Sequence, residues 1–108
     1  MAIIAFDVDD CLILPPEATG LDRDTPNYDL IAIYRFFQAE GNRMIVWSGG
    51  GADYARSWGE KLGLNADEYR MKEKDLSIDI CFDDSIVDLA KVNFHITRKN
   101  NHITRTLP

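Results

Sequence analysis

Apolar and polar positions along this chain fall into two alternating rhythms. Residues 2–8 form an apolar run rich in Ile and Val that ends in carboxylates, which predicts a strand buried on both faces. Residues 10–26 carry Pro15, Pro16, Gly20 and Pro26 and read as irregular chain. Leu30, Ile31, Tyr34 and Phe37 recur at helical spacing, which predicts a helix over residues 27–40 that Gly41 ends. Residues 43–47 predict a second buried strand, and Ser48 to Gly51 a tight glycine turn. Tyr54, Ala55, Trp58 and Leu62 lie on one stripe, predicting a helix over residues 52–62 closed by Gly63. Residues 68–71 predict a short strand and residues 78–82 a stronger one ending in paired acids. A short helix is expected over residues 85–90 and a last strand over residues 92–96. The polar, mildly basic residues 97–108 read as a solvated tail.

Strands alternating with helices give the α/β class, with a parallel sheet and right-handed crossovers. Sites in such sheets lie beyond the carboxyl ends of the strands, where strand order reverses. Three predicted strands end in chemically loaded residues: Asp7 to Asp10, Ser48 to Gly51, and Asp83 with Asp84. That shared position points to one composite site.

Composition sharpens this picture. At 108 residues the chain is expected to form one domain, residues 1–108, with a single core. No apolar run approaches the roughly 20 residues that span a bilayer, so no membrane partner is expected. The apolar N-terminus lacks a basic region and meets Asp7 early, so it reads as a strand and not a leader, and a cytoplasmic setting is the expectation. Cys11 and Cys81 have no metal-type spacing and read as small buried hydrophobes. Neither is followed by the arginine-closed phosphate loop that a thiol phosphatase needs. A net charge of −6 argues against a broad nucleic-acid-binding face, though not against one nucleic-acid end held locally.

The acids are clustered, and clusters that meet in space need a cation. Asp7 and Asp9 are two residues apart, so in an extended chain they point the same way. Close carboxylates share protons or a cation, and magnesium suits an oxygen-only site completed by water and phosphate. Ser48, Gly49 and Gly50, between a strand and a helix start, would offer a hydroxyl and backbone N–H groups to a phosphate oxygen. Lys72 and Lys74 follow the short third strand, and either could neutralise phosphate. His95 reads as packed and His102 as exposed; Tyr54 and Trp58 read as core.

The order of these motifs resembles the haloacid dehalogenase superfamily. Phe6-Asp7-Val8-Asp9-Asp10-Cys11-Leu12 resembles its first motif, Ile45-Val46-Trp47-Ser48-Gly49 its second, Lys72 or Lys74 its third, and Ile80-Cys81-Phe82-Asp83-Asp84 its fourth. The resemblance covers residues 1–96. It implies a Rossmann-like sheet of about five strands in the order 3-2-1-4-5, helices on both faces, and neighbouring first and fourth motifs. It implies a magnesium-dependent phosphatase in which Asp7 attacks phosphorus and becomes an aspartyl-phosphate, while Asp9 protonates the leaving oxygen and then activates water. Ser48 and the following amides would hold the phosphoryl group, with Lys72 or else Lys74 offsetting its charge. Magnesium would bind the Asp7 carboxylate, the Asp9 carbonyl, and Asp84 with or without Asp83. Asp9 favours phosphoryl transfer over dehalogenation, which needs no acid there. Asp10 stands where the family often has glycine, Cys11 where it has Thr or Val, and Lys72 in a Lys-Glu-Lys run is the closer match to the third motif.

The intervals between motifs leave no room for a cap domain. Capless members often take large substrates or borrow closure from another subunit, so a phosphorylated protein, a nucleic-acid end and a small metabolite all stay open as substrates, as does a homo-oligomer. The rival readings are a non-catalytic or regulatory binding module that keeps the fold and metal site, and a phosphotransferase that passes the phosphoryl group to an acceptor other than water.

Overall fold

The computed structural model describes residues 1–97; the expected tail beyond Thr97, with His102, lies outside the described residues. In chain order the elements are β1 (Ile3–Asp7), β2 (Ile13–Leu14), α1 (Pro16–Thr19), β3 (Thr25–Pro26), α2 (Tyr28–Ala39), β4 (Arg43–Ser48), α3 (Ala52–Lys61), β5 (Glu68–Met71), β6 (Ile80–Asp83) and β7 (Val92–His95). Five strands form one sheet in the order β5-β4-β1-β6-β7, and β2 pairs with β3 in a separate ribbon. Every pairing in the five-stranded sheet is parallel. β1 is central, in register with β4 from Ile3↔Arg43 to Asp7↔Trp47 and with β6 from Ile4↔Ile80 to Phe6↔Phe82. This is the α/β architecture that the alternation of strands and helices predicts.

The pleat sorts the core into two layers. Ile4, Phe6, Met44, Val46 and Phe82 face one side, where Leu30 and Tyr34 of α2 and Ala55 of α3 pack on them. Phe6 stacks on Phe82 with ring centroids 4.5 Å apart and meets Tyr34 edge-on at 5.2 Å. Ala5, Ile45, Trp47 and Cys81 face the other side, against Ile78, Val87, Leu89 and Ala90. Both long helices therefore lie on one face, which corrects the expectation of helices on both. The cause is the direction of winding. The chain moves from β1 to β4 to β5 in one direction, and two right-handed crossovers in one direction put both helices on the same side. The return connections, from β5 to β6 and from β6 to β7, cover the opposite face and contain no helix.

The helix expected over residues 85–90 is likewise not formed. Asn93 takes over its backbone groups: its Oδ1 accepts from Leu89 N (2.8 Å) and Ala90 N (2.9 Å), while its Nδ2 donates to Ala90 O (2.9 Å). Side-chain bonds of this kind compete with helix, and six residues are too few to nucleate one unaided. The strand expected over residues 78–82 starts later, at Ile80, because Ile78 N turns back to Asp75 O at 3.1 Å. Residues 10–26, read as irregular, hold the β2–β3 ribbon and one turn of helix.

Two local features aim the site. Asn27 caps α2 by accepting from Leu30 N, and its Nδ2 donates to Cys11 O at 2.9 Å, which ties that helix to the loop after β1. Gly59 of α3 lies so close to β5 that any side chain there would collide with the Tyr69 ring. No helix among the described residues is long and apolar enough to cross a membrane.

Candidate functional site

β1 delivers Asp7 to the carboxyl edge of the sheet, 4% exposed. The chain then turns sharply: Cys11 N and Ile13 N both donate to Val8 O, at 3.2 and 3.1 Å. The turn places Asp10 at φ 58°, the left-handed region that suits glycine and that Asp, among L residues, tolerates comparatively well.

On one side of β1, β4 ends at Ser48, which is buried and whose Oγ accepts from Gly50 N at 2.9 Å. The register Ser48↔Met71 brings β5 to the same edge, and Lys72 N continues the pairing to Ser48 O at 3.0 Å. Lys72 therefore leaves the sheet beside the site. Its Nζ lies 2.9 Å from Asp83 Oδ2 and 3.4 Å from Asp7 Oδ1. On the other side of β1, β6 ends at Asp83, which is fully buried, and Ser85 N donates to its Oδ1 at 2.9 Å. Asp84 follows, and one ligand atom each from Asp7, Cys11 and Asp84 lie within 4.8 Å of one another.

These contacts shift the protonation of the cluster. Burial, then the charges of Asp83 and Asp84, outweigh Lys72 and push Asp7 up to about 7. Burial also raises Asp84, helped by Asp83 and Asp10 and opposed by its hydrogen bond with Asp7. Burial pulls Lys72 down, but the Asp83 hydrogen bond and the charges of Asp7 and Asp83 overcome it, so the ammonium is held firmly charged. Burial and the neighbouring Asp7 push the Cys11 thiol well above its ordinary value, so it stays protonated. The chain matches no protein-family model, no curated protein and no solved structure.

Asp7, Ser48, Lys72, Asp83 and Asp84 meet at one edge, from strands β1, β4 and β6 and the chain just beyond β5 and β6. Gly49 and Gly50 lie in the turn between Ser48 and α3. Lys74 does not join them: its Nζ pairs with Asp88 at 3.2 Å, and both side chains are largely exposed. Asp83 is engaged by Lys72 and a backbone amide, which leaves Asp7 and Asp84 as the carboxylates turned toward each other. Asp9 is exposed, and Tyr54 Oη donates to its Oδ1 at 2.7 Å. An open cleft of about 310 Å³ adjoins the cluster, lined by Asp10, Asp84, His95, Ile96 and Thr97.

Two neighbours were not singled out by the sequence as site residues. Cys11 lies inside the acid cluster, though its apolar flanks signal only a buried hydrophobe. Tyr54 belongs to the helical stripe of α3 and packs on the core, yet its hydroxyl reaches out to Asp9. A glycine four residues before an aromatic was the available signal.

Proposed function

We propose that this chain is a magnesium-dependent phosphatase of the haloacid dehalogenase type, acting through an aspartyl-phosphate on Asp7. The observation that carries the reading is the bridge made by Lys72 between Asp7 and Asp83 at the edge where β4 also presents Ser48. A nucleophilic carboxylate, a fixed cation for the incoming phosphoryl charge, and a strand-end hydroxyl with following amides are the parts phosphoryl transfer requires. Further support comes from the sheet. Counted among its own five strands, the order β5-β4-β1-β6-β7 runs third, second, first, fourth, fifth, the arrangement the motif resemblance implies.

The donor chemistry fits a hard cation. Two acids, Asp7 and Asp83, share one lysine and a third, Asp84, lies beside Asp7, so the ionised cluster carries excess negative charge. Carboxylate oxygens suit magnesium, whereas a protonated thiol such as Cys11 does not. Asp7 and Asp84 would hold the ion, with the Asp9 carbonyl. When bound, magnesium supplies positive charge that keeps Asp7 ionised and offsets the phosphate oxygens.

The chain's own groups perform the transfer. An Asp7 oxygen forms a bond to phosphorus as the bond to the leaving oxygen breaks, and that oxygen takes a proton from Asp9. Asp9, now a carboxylate, removes a proton from the water that displaces Asp7 from phosphorus. Ser48 and the amide of Gly49 hold the phosphoryl oxygens, the Gly50 amide orients the Ser48 hydroxyl by donating to its Oγ, and Lys72 stays within reach of both phosphate and Asp7. Phosphate release from p-nitrophenyl phosphate tests the reading. Release that needs magnesium, stops with chelator and disappears in Asp7→Asn is expected. If Asp7→Asn keeps the wild-type rate, or if neither turnover nor binding of a beryllofluoride mimic of aspartyl-phosphate is found, the catalytic reading fails. Equal product yield with and without added alcohols separates hydrolysis from phosphoryl transfer to an acceptor.

A further inference from the structure

The proposed chemistry needs Asp9 to present its proton in one direction, yet Asp9 is exposed on the turn just past β1. A free carboxyl there would rotate among several orientations. Tyr54 restrains it: the phenol donates to Asp9 Oδ1 at 2.7 Å, a short charge-assisted distance when Asp9 is ionised. Tyr54 stands on α3, near the start of a ten-residue helix, and is itself held. Its ring lies over Gly50, where an added Cβ would sit 3.2 Å from Tyr54 Cδ2 and 3.3 Å from Cγ. Gly50 does not occupy the left-handed region that demands glycine, so the room it leaves for the ring is what its missing side chain provides.

We propose that Tyr54 is a positioning residue for Asp9, fixing which carboxyl oxygen carries the transferable proton; the inference rests on the phosphatase reading. The carbonyl-type oxygen of a carboxylic acid is the better acceptor, so the oxygen that accepts from Tyr54 is Oδ1 and the proton resides on Oδ2. As the phosphorus–oxygen bond of the substrate breaks, its electron pair stays on the leaving oxygen, which takes the Oδ2 proton. The resulting carboxylate keeps its bond from Tyr54, and Oδ2 then accepts the proton of the attacking water. Tyr54 exchanges no proton and touches no reacting atom. The same ring contacts the glycine turn after Ser48, so the acid and the phosphate cradle are set against one common surface.

The test is Tyr54→Phe, assayed on phenyl phosphate and p-nitrophenyl phosphate. The two substrates have closely similar shapes, but phenolate is a much poorer leaving group and depends more on the acid. We expect kcat/KM on phenyl phosphate, which reports the steps up to formation of the aspartyl-phosphate, to fall about tenfold, the loss of one hydrogen bond of roughly 1.4 kcal/mol. The loss on p-nitrophenyl phosphate should be much smaller. The ratio of the two comes from one preparation, so it does not depend on how much of the variant is folded. In an Asp9→Asn background, Tyr54→Phe should add no further loss. Equal losses on both substrates, no loss on phenyl phosphate, or a further loss on top of Asp9→Asn would overturn the inference while leaving the phosphatase reading intact. Wild-type protein that turns over neither substrate and binds no beryllofluoride mimic of aspartyl-phosphate would remove the reading and the inference together.

Discussion

Lys72→Met removes the cation that bridges Asp7 and Asp83 while keeping most of the side-chain stem. Asp83 is fully buried and its other partner is the Ser85 amide. Stripping one partner from a buried ion pair typically costs about 3–5 kcal/mol, because the remaining charge is left in a poorly solvated place. The Lys72 side chain is 23% exposed, so water already screens part of the interaction, and about 2–3 kcal/mol at pH 8 is the expected loss. Against a domain stability of roughly 5–15 kcal/mol, a loss of that size moves a urea midpoint well beyond error. The loss should shrink at pH 5, since Asp7, pushed up to about 7, is then protonated and one of the unpaired charges is gone. Asp83→Asn added to Lys72→Met should recover much of it. Lys74→Met is the control: its pair with Asp88 is 57% and 81% exposed, so about 0.5 kcal/mol or less is expected. Urea unfolding of the metal-free protein at the two pH values provides the measurement. A Lys72→Met protein as stable as wild type at pH 8, or equally destabilised at pH 5 and 8, would refute this account of the lysine.

The same geometry sets three further outcomes. Asp7 has a raised pKa, so between its ordinary 3.8 and about 7 the folded state binds more protons than the unfolded one, and metal-free stability should fall as pH rises through that window; Asp7→Asn should flatten the fall and be the more stable protein at pH 8 without metal, as thermal melts would report. Asp75 behaves oppositely: bonds from the Ser77 hydroxyl and amide, then Arg70, lower it to about 2, so its contribution is present above 3.8 and lost as pH falls toward 2, and acid titration of Asp75→Asn should lack that part of the transition. Gly59→Ala would gain about 1 kcal/mol of helix propensity but must displace the Tyr69 ring, so a net destabilisation of ~1–2 kcal/mol in urea unfolding is expected, and a stabilised variant would show that the ring yields freely.

The sheet and most of the site were legible because burial leaves strong marks. Ile4, Phe6, Met44 and Val46 are strand residues with no polar alternative, and acids or serine at the ends of such strands have one edge to occupy. What the sequence left open was set by long-range register and by single side chains. Lys72 and Lys74 look alike in a run of charges; the pairing of Met71 with Ser48 decides which one leaves the sheet beside Asp7. The apolar residues of 85–90 suit a helix as well as an irregular cover, and Asn93, further along the chain, settles the matter by taking their backbone bonds. The shared face of α2 and α3 depends on winding direction, which local periodicity does not encode.

The two irregular connections that cover the second face also carry residues of the candidate site. Lys72 opens the one before β6 and Asp84 the one after it, and Asp75 N joins them by donating to Leu89 O at 2.8 Å. The same two segments supply Ile78, Val87, Leu89 and Ala90, which shield Trp47 and Cys81 from water. Neither segment can swing away as a lid without wetting the core. Amide exchange in residues 72–79 and 84–91 should then slow or quicken together with the central strands and not as an independent local opening. Changes that repack this cover will reach the lysine and the carboxylates beside it, so the two connections are free to vary in sequence only as a pair.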